Sequence, residues 1–158
     1  MAKAREIPHL AEAQSFRQAA REAVAVRAEE VFEHAEGVLD TSDIERVHDM
    51  RVATRRLRAV MEIFETAFPK KPHSAVLKDV KALADALGER RDRDVAIQAM
   101  TKIGLALTAT DRRGIDHLVQ ELRDEQRGAN AELATALQRM EESDLRGRLR
   151  ALSAAVST

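Results

Sequence analysis

The chain has 158 residues, with 26 Lys and Arg against 27 Asp and Glu; its size suits one domain, and its net charge of −1 excludes a uniformly basic nucleic-acid binder. Cys, Trp and Tyr are absent and only four Phe are present. Disulfides, thiolate metal sites and a cysteine nucleophile are therefore excluded, and platforms for stacking bases are hard to build.

Gly (6) and Pro (3) are sparse, Ala and charged residues are plentiful, and strand-like alternation is missing. The chain reads as all-α, an antiparallel four-helix bundle with long helices and a short C-terminal helix. The first helix is expected to start after Ile7-Pro8 and to run to about Leu39, ended by Gly37 and the Asp40-Thr41-Ser42 turn. Ser42-Asp43-Ile44-Glu45 fits a capping box that opens a second helix. That helix runs to about Phe68, with Met50, Leu57, Val60, Met61, Phe64 and Phe68 on its apolar face. Pro69-Lys70-Lys71-Pro72 reads as a break. A third helix follows from near Ser74 to about Leu107, with Val76, Leu77, Val80, Leu83 and Leu87 in register. Gly88 in its middle predicts a kink or a close helix approach. A fourth helix starts near Thr110-Asp111, and a short fifth spans Leu145 to Val156. No apolar run approaches the ~18 residues of a membrane span and no secretory pattern is present, so the cytoplasm is the expected compartment.

Charge is segregated along the chain. Residues 12–40 hold three arginines against seven carboxylates, whereas residues 46–58 hold five arginines against Asp49 alone. Within the second segment His48, Arg51, Arg55 and Arg58 are spaced 3, 4, 3 and project from one helical face. Like charges this close repel, so a row of them is most easily kept where an anion of matching length neutralises it. Two readings follow. The row contacts a polyanion through guanidinium forks that stay charged at any working pH, or it is a solvated face salt-bridged to the acidic first helix. The stripe lies beside the apolar face, so it is expected at a groove with a neighbouring helix.

His48-Asp-Met-Arg51-Val-Ala-Thr-Arg55-Arg56-Leu57-Arg58, followed by Leu87-Gly88-Glu-Arg-Arg91-Asp92-Arg-Asp94-Val95, resembles the CHAD family, the conserved histidine α-helical domain. The resemblance covers essentially residues 1–158 but only one half of the usual domain, because no second His-x-x-Arg-x-x-x-Arg helix appears after residue 100. It implies a non-enzymatic domain that binds inorganic polyphosphate in a basic groove, with no cofactor and with possible placement on polyphosphate granules. The missing half suggests a homodimer that rebuilds the groove from two chains. The resemblance adds Lys81 and Arg91 to the phosphate-contact candidates and makes Asp92 a holder of a second-helix arginine. Arg17 and Arg21, with Gln14 and Gln18 nearby, are candidates to close the groove from the first helix, against a reading as ordinary exposed side chains.

Two rival functions stand beside this one. Glu45-Arg-Val-His48 has the Glu-x-x-His spacing of metal-binding bundles, although Arg51 and Arg55 would repel a dication. A basic groove also suits docking of an acidic protein or a nucleic acid; the missing aromatics disfavour RNA. No Gly-rich phosphate loop, nucleophile or general base with a clear task is evident.

Overall fold

A computed structural model describes residues 3–8, 10 and 15–155. Its helices are α1 (Phe16–Glu33), α2 (Ile44–Ile63), α3 (Lys70–Leu105), α4 (Ala109–Glu142) and α5 (Leu145–Ala154), with a 3-10 turn at Glu65–Ala67 between α2 and α3. Gln14 and Val156, to which the sequence reading extended, lie outside the described residues.

Several boundaries differ from those expected, each for a local reason. Leu10 N–H reaches the Ile7 carbonyl, and the expected start just after Pro8 otherwise falls on residues outside those described. Helix α1 opens instead at Ser15, whose hydroxyl accepts from Gln18 N–H at 3.1 Å. It stops at Glu33, because the chain must reverse through Gly37, which sits at φ 69°. That left-handed backbone favours glycine, and a Cβ there would also have to displace the Arg46 guanidinium, 2.6 Å away. The expected capping box does not form: Ser42 donates its hydroxyl to Asp40 at 2.7 Å, and Asp43 takes the N-cap position without a side-chain cap. Pro72 does not delay α3. It falls in the first turn, where no N–H is needed. Gly88 lies within one unbroken helix and is not a point of close approach, since nothing lies within 4 Å of a Cβ placed on it.

The core is assembled from the apolar faces the sequence displays. Ala20, Val24, Ala28 and Val31 of α1 meet Val47, Met50, Leu57 and Met61 of α2, and Val76, Val80, Leu83 and Leu87 of α3. Leu133 and Met140 of α4 and Leu145, Leu149 and Leu152 of α5 close it. His73 is buried, its Nε2 2.9 Å from the Met61 carbonyl and its ring stacked on Phe68. Helix α2 therefore packs between α1 and α3, α4 lies along α3, and α5 bridges α1, α3 and α4. At 1.5 Å per residue α3 and α4 run about 50 Å, against about 30 Å for α2. Their distal halves extend past the point where α2 begins.

The apolar row of α3 ends in charge. Arg90 and Asp94 continue the spacing of Val80, Leu83 and Leu87, and both are essentially inaccessible. Arg90 Nε donates to Asp94 Oδ1 at 3.1 Å, Gln126 of α4 donates to the same oxygen at 2.6 Å, and Arg90 Nη1 donates to Asn130. Asn130 in turn donates to the Leu39 carbonyl at 3.0 Å. This network clamps the α1–α2 connection onto α3 and α4.

Candidate functional site

Helix α2 brings Arg51, Arg55 and Arg58 to one line because they recur every three or four residues. Helix α3 runs antiparallel beside it: Lys81 lies against Glu62 near the end of α2, and Arg91 against Ile44 and Glu45 at its start. Between them is a cleft of about 520 Å³, walled by the three arginines on one side and by Ala84, Asp85, Gly88, Glu89 and Asp92 on the other. Gly88 leaves mid-cleft unobstructed, since it offers no side chain and the space its Cβ would enter is open.

The cations of this region fall into three states. Arg51, half-buried, and Arg55, exposed, make no ion pair or hydrogen bond to any described residue. Arg58 and Lys81 share one acceptor, Glu62 Oε1, at 3.0 and 3.1 Å. The hydrogen bond from Arg58, and after it that from Lys81, holds the Glu62 carboxyl below the usual glutamate range. Since that pKa is lowered on folding, the bridge is intact above the ordinary carboxylate range and is lost as pH falls through the lowered value. Arg91 is engaged structurally: Nη1 donates to the Ile44 carbonyl at 3.0 Å, and the side chain is 14% exposed.

Among the described residues, no carboxylate of the first helix pairs with Arg51, Arg55 or Arg58. Glu29 binds Arg146 and Arg150 of α5; Glu30 binds Arg27 and the Arg5 backbone N–H; Glu33 binds Arg5. Arg148 pairs with Asp79 at 2.6 Å, so the arginines of α5 are directed to α1 and α3.

The remaining sequence candidates fall around the cleft. His48 is half-buried one turn before Arg51 and is not part of the wall. Arg17 and Arg21 are exposed and lie outside it, because α1 packs on α2 and α5 rather than along α3. Asp92 is part of the wall but makes no ion pair with a second-helix arginine among the described residues. The sequence reading missed Arg90 altogether. Its signal was present in the row Val76, Val80, Leu83, Leu87, Arg90, Asp94, which puts an arginine and an aspartate at core positions. Among the described residues no group of three His, Asp or Glu converges on a metal position, and Glu45 leans on Arg91. No helix of the described residues is long and apolar enough to cross a membrane.

A larger cleft, about 840 Å³, lies between α3 and α4 with an apolar floor of Ala82, Leu83, Ala86, Ala136 and Met140. It carries mixed charge at its rim (Lys78, Asp79, Glu132, Arg139) and no row of like charge, so it does not compete as a polyanion site.

No curated protein and no solved structure gives a significant match to the chain. The family model for the CHAD domain matches residues 12–158. With that match over nearly its whole length and a helical bundle carrying an arginine row on its second helix, the chain belongs to the CHAD domain family, binding domains associated with polyphosphate and triphosphate.

Proposed function

We propose that the α2–α3 cleft binds linear inorganic polyphosphate without catalysing its turnover. The observation that carries this reading is the pair Arg51 and Arg55, one turn apart, facing open space and engaged by no described carboxylate. An unpaired arginine pair on one face is a poor arrangement for stability and a good one for a ligand with charge at every repeat. The wall has no aromatic side chain, so bases would find nothing to stack on, which favours a bare phosphate chain over RNA. Asp85, Glu89 and Asp92 on the opposite wall confine the polymer to the arginine side and hold affinity down. On this reading residues 1–158 act as one binding domain, one half of the usual two-repeat arrangement, and granule association follows from the ligand.

A titration with polyphosphates of defined length at several salt concentrations tests it. Three arginines neutralising phosphates predict a log–log salt slope of about −2 and affinity that rises with chain length. A slope near zero, or equal binding of orthophosphate and long chains, would falsify the assignment. Tighter binding of an acidic peptide or RNA in the same titration would favour the docking rival.

Glu62 competes with the ligand for Arg58 and Lys81. Replacing it by Gln (E62Q) frees both cations and is expected to tighten polyphosphate binding about threefold to tenfold. Because the bridge is lost on acidification, the gain over the parent should shrink as pH falls through the lowered Glu62 pKa. Unchanged affinity in E62Q near neutral pH would show that Arg58 and Lys81 do not reach the ligand.

A further inference from the structure

We propose that the distal half of α3 is the contact surface for a second copy of this chain, related by a two-fold axis passing near Ala99. Helix α2 begins beside Arg91, and the stripe of α3 that faces it continues past that point as Val95, Ala99, Lys102, Ile103 and Ala106. Nothing described covers this stripe: Val95 is 47% and Ile103 46% exposed, and Ala99, Lys102 and Ala106 are exposed as well. A third of the chain is charged, yet residues 95–110 contain a single charged side chain, Lys102. Charge depletion with exposed branched side chains is the composition of an interface centre, not of a solvated helix.

The order of residues identifies the occupant. Val95 and Ile103 stand four positions before and after Ala99, a large–small–large palindrome. Two antiparallel copies crossing at Ala99 approach closely there, each Val95 packing on the other copy's Ile103, as an isologous contact requires. Asp92 precedes this core and Lys102 follows its centre, and neither makes an ion pair with a described residue. In the crossed pair Lys102 of one copy lies about one turn from Asp92 of the other, so the two charges left over in one chain complement each other twice in the dimer. The contact would also neutralise one of the three carboxylates on the α3 wall of the cleft. Its existence does not depend on what fills that cleft.

Sedimentation velocity on the full chain without polyphosphate, from about 1 to 100 µM, tests the proposal. The parent is expected to dimerise across this range, and I103E to remain monomeric with unchanged helicity. D92K and K102D, both at exposed positions, should each weaken dimerisation about tenfold or more, and the double swap D92K/K102D should restore most of it. A parent that stays monomeric throughout, a dimer that survives I103E, or a double swap no better than either single would overturn the two-fold contact.

Discussion

R51E/R55E is expected to lower polyphosphate affinity at least about a hundredfold at about 150 mM salt while leaving the circular dichroism spectrum unchanged. Each arginine contributes a charge-assisted contact, and each reversal adds repulsion of the ligand. The fold should survive because neither side chain has a described hydrogen bond or ion pair to lose, and replacement removes the repulsion between them. The new glutamates would face Asp85 and Asp92 across the cleft, so R51Q/R55Q serves as the milder variant, with a loss of about tenfold or more. Isothermal titration with a long polyphosphate reads both. Parental binding by the glutamate variant would place the ligand elsewhere on the molecule.

The second large effect lies in the core. D94A is expected to destabilise the protein by about 3–5 kcal/mol, and to lower its melting temperature by about 10 °C. Asp94 is the counter-charge of Arg90, which has no access to solvent, and it also accepts from Gln126. Removing it leaves a buried guanidinium uncompensated, on top of an Nη2 that already lacks a partner among the described residues. Replacing both members by apolar residues of similar size, R90M/D94L, should cost less than D94A alone, because the penalty comes from the stranded charge. Urea denaturation followed by circular dichroism measures the three stabilities. If D94A stays within about 1 kcal/mol of the parent, water satisfies Arg90 and the network does not hold the α1–α2 connection.

The structure bears on one of the two readings the sequence left for the arginine row, the salt-bridged face. The acidic first helix was the natural partner for it, but Glu29, Glu30 and Glu33 are instead engaged by Arg5, Arg27, Arg146 and Arg150, and Glu22 accepts from Gln18. The cost of that arrangement falls on the stripe, where Arg51 and Arg55 are left facing the cleft. Arg58 of the row found a carboxylate of the same molecule, as Lys81 of α3 did, and Arg91 of α3 a carbonyl, so the open part of the row is shorter than its 3, 4, 3 spacing implied.

What the sequence by itself determined was local and periodic: five helical segments, their apolar faces, and one histidine with three arginines on one side of the second helix. These follow from 3.6-residue spacing and need no knowledge of neighbours. The ends of those helices were less legible, since Ser15, Pro72 and Gly37 act through hydrogen bonds and turn geometry that admit more than one register. Only the tertiary structure decided which charges pair. Glu29 reaches residues more than a hundred positions away, Arg91 reaches back to Ile44, and Arg90 is enclosed where α3 and α4 meet the loop before α2. Pairing of charges depends on distance in space and on loss of solvent, and neither is written in the spacing of residues along one helix.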